Sequence, residues 1–316
     1  MFVSGFASLI GHEIVVPGSV SNLGPGFDTL SVAVQVYLRL RILDVREGVP
    51  DTIETRFAGA APGGENRIET AFRHARARIG RPAPGVVIET SSDIPTRAGL
   101  GSSGAATVAG LRLYSLLTSE IDPADLLALA SDVEGHPDNA AAALLGGLTV
   151  SCQREDGRVI ARSWAWPSGI QLVVATPSAE LETAHARRVL PDTIPLRDGV
   201  FNLQRALLLV HALQSGEFAH LSEALRDRWH QPARAPLVPG LPEALTVEDE
   251  SVLGVCLSGA GPSIVMFTNG RTEGAKASLD DIYRRVGVPA TIRVLSAHQP
   301  VGSSPLTAAR PEQDSR

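Results

Sequence analysis

Lysine is almost missing from this chain. Of its 316 residues, 28 are Lys or Arg, and Lys276 is the one lysine among them. The Walker A loop Gly-x-x-x-x-Gly-Lys-Ser/Thr is thereby excluded, because its lysine must reach the β- and γ-phosphates. Schiff-base chemistry needs a lysine amine in a shaped pocket, and Lys276 sits instead in the polar, helix-like stretch Arg271-Thr-Glu-Gly-Ala-Lys276-Ala. Aromatic residues are scarce at 4% against a hydrophobic fraction of 44%, so packing must rest on Ala, Val, Leu and Ile. Cys152 and Cys256 are too few for a disulfide framework or a cysteine metal cluster and suit a reducing compartment. No apolar run reaches the roughly 18 residues of a membrane span, and residues 1–10 lack the positive flank of a signal peptide. A net charge of −6 argues against a nucleic-acid surface, which wants a concentrated basic patch. The expectation is a soluble cytoplasmic protein with no nucleic-acid or membrane partner.

What is present is a mixture of strands and helices. Residues 13–17, 30–43 and 52–57 read as strands, followed by a Gly/Pro-rich loop over 59–64. Apolar residues at Ile68, Ala71, Phe72, Ala75 and Ile79 have helical spacing over 66–79. Another strand is expected at 86–90, and an Ala-rich buried helix over 102–117. Asp122 and Pro123 open a further helix that Gly135 stops. In the second half, 171–176, 252–257, 263–267 and 290–295 read as strands. Residues 200–214, 218–229 and 271–285 read as helices, and 232–242 as a proline-rich connection. Strands and helices without regular βαβ alternation favour an α+β fold. The polar interruption at 153–158 marks a lobe boundary, giving lobes over 1–160 and 161–298. The small, polar residues 299–316 read as a disordered tail.

Four segments carry chemistry. The strongest is Pro95-Thr96-Arg97-Ala98-Gly99-Leu100-Gly101-Ser102-Ser103-Gly104-Ala105-Ala106. A glycine-rich turn delivers the chain into a helix start, whose free N–H groups and positive dipole end form an anion site. Ser102 and Ser103 add hydroxyls for phosphate or a bound cation. The second segment is Glu134-Gly-His136-Pro-Asp138-Asn139. One helix out and one back can return Glu134 to the phosphate loop, where Mg²⁺ would take a carboxylate together with phosphate oxygens. Its plainer reading has Asp138 as a helix cap and His136 as a hydrogen-bonded turn residue. Val16-Pro17-Gly-Ser19-Val-Ser21-Asn22-Leu-Gly24-Pro-Gly26-Phe27-Asp28 can present Asn22 and Asp28 to a small ligand. Leu257-Ser258-Gly259-Ala260-Gly261-Pro262-Ser263 lets a backbone press against another loop or a ligand.

Together these motifs resemble those of the superfamily of galactokinases, homoserine kinases, mevalonate kinases and phosphomevalonate kinases. Residues 95–106 look like its phosphate motif, and the first and last segments like its other two. Asn22 through Asp28, Glu134 through Asn139 and Leu-Leu-Gly-Gly at 144–147 are similar to the homoserine kinase branch in particular. The resemblance runs from about residue 13 to 296 and implies a two-lobed α+β small-molecule kinase fold with its active site between the lobes. It also implies phosphorylation of the side-chain hydroxyl of L-homoserine, a step of threonine biosynthesis, with ATP and Mg²⁺. Residues 95–105 would then bind ATP, Asn66 would lie near the base, and Ser102, Ser103 and Glu134 would hold the metal. Asn22, Asp28, His136, Asn139, Thr183, Arg187, Arg234 and Gly259 fall on the substrate side. Asp28 is expected to hold the ammonium, and Arg187 and Arg234 the carboxylate, which a planar guanidinium binds bidentately. Glu134, Ser102, Ser103 and Arg187 are the expected catalytic groups, none of them a general base. Ser31 and Ala98 depart from the family pattern without removing a polar group that the reaction needs. Mevalonate kinase-like members usually carry a lysine in the first motif, where this chain has Val16-Pro17-Gly18-Ser19.

Two other readings compete: a mevalonate- or sugar-type kinase on the same fold, and a catalytically silent ATP sensor. Glu134 and the complete glycine set argue against the sensor. A serine hydrolase is set aside because neither Ser102 nor Ser103 lies in Gly-x-Ser-x-Gly. The expected assembly is a homodimer.

Overall fold

The computed structural model describes residues 6–59 and 63–300. Part of the expected loop, residues 60–62, and nearly all of the expected tail, residues 301–316, lie outside the described residues. Gln299 exchanges hydrogen bonds with the Trp166 backbone at 2.9 and 3.0 Å.

Two sheets organise the chain. The first is built on β2 (Leu30–Arg46), with strand order β3 (Ile53–Phe57), β4 (Gly85–Ser92), β2, β5 (Leu148–Gln153), β6 (Val159–Trp164), and with β1 (Glu13–Ser21) also paired to β2. The first five residues of β2 are buried on both faces. Beyond them Gln35, Arg39 and Arg41 alternate with buried Val36, Leu38 and Leu40, the period-two pattern of a half-covered strand. α1 (Arg67–Ile79), α2 (Ser102–Thr118), α3 (Pro123–Glu134) and α4 (Asp138–Leu145) belong to this half. α2 is Ala- and Gly-rich because it is buried nearly all round. A side chain at Gly110 would run into the Ile68 carbonyl of α1. The polar segment 153–158 is the turn of the β5–β6 hairpin.

The second sheet is antiparallel, in the order β10 (Ala290–Leu295), β7 (Gln171–Pro177), β9 (Ile264–Thr268), β8 (Val252–Leu257). α10 (Glu273–Val286) packs on it and carries Lys276, whose ammonium lies 2.9 Å from Glu273 on the same helix. Between β7 and β8 run α5 (Thr183–Arg188), α6 (Leu196–Ser215), α7 (Leu221–Ala224), α8 (His230–Arg234) and α9 (Leu241–Ala244). The chain then returns to the first sheet, where the His298 amide donates to Ala33 at 2.8 Å. The mixture matches the expected α+β class.

Two expectations fail locally. Residues 218–229 are not one helix. Asp227 accepts from the Trp229 amide at 3.0 Å and the Gln231 amide at 2.6 Å, so its side chain turns the backbone where helical bonds would continue. The proline-rich connection over 232–242 holds the short helices α8 and α9, with prolines inside first turns. Among the described residues no helix is long and apolar enough to cross a membrane.

Candidate active site

The loop between β4 and α2 needs residues without a Cβ. Gly99 and Gly101 have φ of 76° and 72°, in the left-handed region that disfavours other residues. A Cβ on Gly99 would overlap the Ser258 carbonyl, and one on Gly101 would overlap the Ser19 hydroxyl. Both sides hold the loop down: the Ser258 hydroxyl donates to the Gly99 carbonyl at 2.6 Å and the Ser19 amide to the Leu100 carbonyl at 3.0 Å. Gly101 caps α2, so the helix start opens toward a cleft of about 230 Å³. Arg97, Ala98, Gly99, Gly101, Ser102, Ser103 and Gly104 line this cleft. Pro95, Thr96, Leu100 and Ala105 do not, and Leu100 and Ala105 are buried behind it. Arg97 reaches across to Glu180 at 3.1 Å. Asn66 also lies off the cleft. It caps α1, accepting from the Ile68 amide at 3.2 Å, while its neighbour Arg67 lines the site.

Glu134 comes back to this helix start. Gly135, with φ of 80°, ends α3 and leaves the carboxylate beside α2. One oxygen, Oε1, accepts from Ser103 at 2.9 Å and from Thr107 at 2.6 Å. The other has no hydrogen-bond partner among the described residues. A carboxylate with adjacent hydroxyls is a hard-oxygen donor set, the kind that suits Mg²⁺.

The opposite end is charged. Asn22 and Asp28 also have left-handed backbones, φ 70° and 51°, and the Asp28 amide donates to Asn22 Oδ1 at 2.9 Å, closing the loop. The Asn22 amide group donates to the Gly259 carbonyl at 2.8 Å, tying the first segment to the last. Arg187 of α5 pairs with Asp28 at 2.7 Å. Arg234 of α8 is 1% exposed and donates to the Gly259 carbonyl at 3.1 Å. Burial brings its pKa down to about 10, still cationic at neutral pH. Both guanidinium groups lie over the Phe27 ring, at 5.5 and 5.3 Å from its centre. Thr183 and Gly259 complete the wall.

Asn139 and His136 bridge the two ends. Asn139 Oδ1 accepts from the Ser19 hydroxyl at 2.8 Å. His136 Nδ1 lies 2.6 Å from Asp138, which is buried. Asp138 is therefore not the helix cap that its sequence position suggests; Pro137 precedes α4 and the carboxylate turns to the imidazole. Burial pushes the His136 pKa down, but the Asp138 hydrogen bond and charge outweigh it and hold the ring above its ordinary value. Burial likewise pushes Asp138 up, but the hydrogen bond and charge of His136 and the Asn139 amide together outweigh it, leaving Asp138 below its ordinary value. Asp28, His136 and Asp138 have ligand atoms within 4.8 Å of one another, a group that excludes Glu134. Sequence reasoning missed Ser21, Arg67 and Ala260 in the lining, as well as Phe27 under the arginines. The His-Pro-Asp spacing was the available signal for Asp138; Phe27 offered none beyond its place in the first motif.

The chain is similar to known proteins over most of its length. Residues 66–147 match the GHMP kinases N terminal domain, and residues 209–281 the GHMP kinases C terminal domain. A homoserine kinase of Moorella thermoacetica is 38% identical over 287 residues, covering 89% of this chain and 95% of that protein. A homoserine kinase of Clavibacter michiganensis is 40% identical over 262 residues, 81% of this chain and 82% of that protein. Among solved structures, a homoserine kinase from Cytophaga hutchinsonii superposes with a TM-score of 0.79 at 26% identity, covering 92% of this chain and 96% of that one.

Proposed function

The chain belongs to the homoserine kinases of the GHMP kinase family, and from that premise we propose that its cleft phosphorylates the side-chain hydroxyl of L-homoserine with ATP, giving O-phospho-L-homoserine for threonine biosynthesis. The observation that carries this reading is the two-ended cleft. One end is a helix start with free amides and Glu134; the other sets Asp28 beside Arg187 and Arg234. An α-amino acid is a zwitterion, and that acid with two arginines matches its two charges.

In this reading the amides of Gly99 and of residues 101–104, which line the cleft, and the α2 dipole hold the phosphates, while the Ala105 amide is taken by the Gly101 carbonyl at 2.9 Å; this explains how a chain with one lysine can bind a triphosphate. Glu134 with Ser103 or Ser102 would hold Mg²⁺, which supplies charge neutralisation when bound. Asp28 takes the ammonium, Arg187 and Arg234 take the carboxylate, and Asn22, Thr183 and Gly259 shape the walls around them. His136 and Asn139 lie between the two ends, where the hydroxyl must sit. Phosphoryl transfer through a loose transition state depends on positioning and charge, so the alcohol proton can leave late or to the phosphate without a general base. The first sheet with α1–α4 forms the ATP-binding lobe, and the second sheet completes the substrate cleft. We place the enzyme in the cytoplasm. A homodimer is supported by the exposed seam of Leu196, Val200, Leu203 and Leu207 on α6, spaced three and four residues apart. Light scattering of Leu203→Glu against the parent tests that assembly; an unchanged mass at every concentration contradicts it.

The functional test is ATP consumption with Mg²⁺ and a panel of alcohols. Turnover with L-homoserine well above that with mevalonate, galactose or no acceptor is expected. ATP binding without homoserine-dependent turnover contradicts the reading and favours a sensor.

A further inference from the structure

His230 and Arg234 stand one turn apart at the two ends of α8, and both side chains are buried. His230 Nε2 lies 2.7 Å from the Gly24 carbonyl. A carbonyl only accepts, so Nε2 carries the proton, and a neutral ring then leaves Nδ1 as an acceptor. Nδ1 lies 3.2 Å from Arg234 Nη1. Burial holds the His230 pKa below its ordinary value, outweighing the pull of Asp227, so the acceptor lone pair stays available. Arg234 Nε donates to the Ala186 carbonyl at 3.1 Å, and Nη1 also reaches the Gly259 carbonyl at 3.1 Å. Nη2 has no hydrogen-bond partner among the described residues, and Arg234 lines the cleft.

We propose that His230 is a positioning residue: as the Nε2–H tautomer it fixes Arg234 through Nδ1, so that the Nη2 edge stays aimed at the substrate carboxylate. The proposal rests on the reading of Arg234 as a carboxylate-binding group. The same imidazole holds Gly24, in the loop that carries Asn22 and Asp28, so one ring sets the spacing between the ammonium and carboxylate subsites. An arginine held on three sides loses little freedom when the carboxylate arrives, and its charge is already desolvated and directed.

Two substitutions separate the bonds of the ring. In His230→Asn the amide oxygen falls near the place of Nδ1 and keeps an acceptor for Arg234. In His230→Gln the amide nitrogen falls near the place of Nε2 and keeps the donor to Gly24. The expected result is a homoserine KM raised about tenfold in His230→Gln and His230→Leu, largely rescued in His230→Asn, with the ATP KM unchanged in all three. An acceptor without a carboxylate, 3-amino-1-propanol, should be phosphorylated equally by parent and His230→Gln. Equal KM shifts in the Asn and Gln variants, or equal loss with both acceptors, would show a merely structural histidine and overturn the proposal. Arg234→Gln run alongside separates the two levels. A homoserine KM unmoved there removes the underlying reading, while one that rises with the His230 variants unmoved removes the positioning role alone. Nitrogen-15 NMR of the unmodified protein needs no variant to fold: a protonated Nε2 at neutral pH is expected, and a protonated Nδ1 overturns the proposal.

Discussion

Gly101→Ala is the sharpest probe of the proposed phosphate loop. Gly101 caps α2 with φ of 72°, where a Cβ would lie within overlap of the Ser19 hydroxyl and 3.1 Å from Asn139 Oδ1. Holding an alanine in the left-handed region costs about 1–2 kcal/mol. The overlap also turns the Ser19 hydroxyl away and breaks its 2.8 Å bond to Asn139, adding about 1 kcal/mol. The sum, about 2–3 kcal/mol, corresponds to a Tm lowered by about 5 °C in a chain of this size. Activity should suffer more than stability. Amides that cradle phosphate tolerate little displacement, and a shift of about 1 Å can cost about 100-fold in kcat. Ser19→Ala is the control, since it loses the same hydrogen bond without adding a Cβ; it should lower Tm by about 2 °C and kcat less than about threefold. Calorimetry and a coupled ATP assay read both quantities. A Gly101→Ala enzyme with parental kcat, or one no worse than Ser19→Ala, would refute the claim that this turn is a cradle shaped by a missing side chain.

Glu134→Gln keeps the acceptor for Ser103 and Thr107 but removes the charge, so kcat should fall by about two orders of magnitude and the Mg²⁺ requirement should rise, with Tm nearly unchanged; unchanged metal dependence would contradict the assignment. Asp28→Ala removes the partner of Arg187 and the proposed ammonium site, so the homoserine KM should rise about tenfold or more; a collapse in kcat at unchanged homoserine affinity would sink that role. The His136–Asp138 pair predicts a pH signature. His136 is raised, so its contribution to stability is complete below 6.5 and is lost as pH rises through the folded value. Asp138 is lowered, so its contribution is complete above 3.8 and is lost as pH falls through the folded value. The Tm difference between the parent and Asp138→Asn should therefore be largest between 3.8 and 6.5 and shrink toward alkaline pH; a flat difference from about pH 5 to about pH 9 would contradict the pairing.

The glycine turn into α2 was legible in the sequence because its physics is local: three glycines, a helix start and two serines are contiguous, and each has a conformational reason to be there. The return of Glu134 was legible too, since one helix out and one back is set by Pro123 and Gly135. Reading failed where a single polar side chain, rather than the apolar spacing, decides the backbone. Asp227 breaks the pattern over 218–229 by taking two nearby amides, a choice that apolar spacing does not register. Asn66 caps α1 and bonds Thr55 at 3.0 Å, so it is Arg67 beside it that faces the cleft. Asp138 is a residue suited to caps, and the His-Pro-Asp spacing by itself does not distinguish a cap from the partner of the His136 imidazole that it becomes in the fold. The arginine pair was identified through family resemblance alone. Phe27 beneath Arg234, and His230 against Gly24, join positions about 200 residues apart, which no local pattern connects.

A crystal structure with a non-hydrolysable ATP analogue, Mg²⁺ and L-homoserine tests the central claim most directly. The γ-phosphate is expected against the amides of residues 101–104, with the metal on Glu134. The homoserine ammonium should lie within about 3 Å of Asp28 and its carboxylate at the same range from Arg187 and Arg234. The side-chain hydroxyl would then point between them, beside Asn139. Homoserine bound outside this cleft, or reversed with its carboxylate toward the glycine loop, would contradict the account.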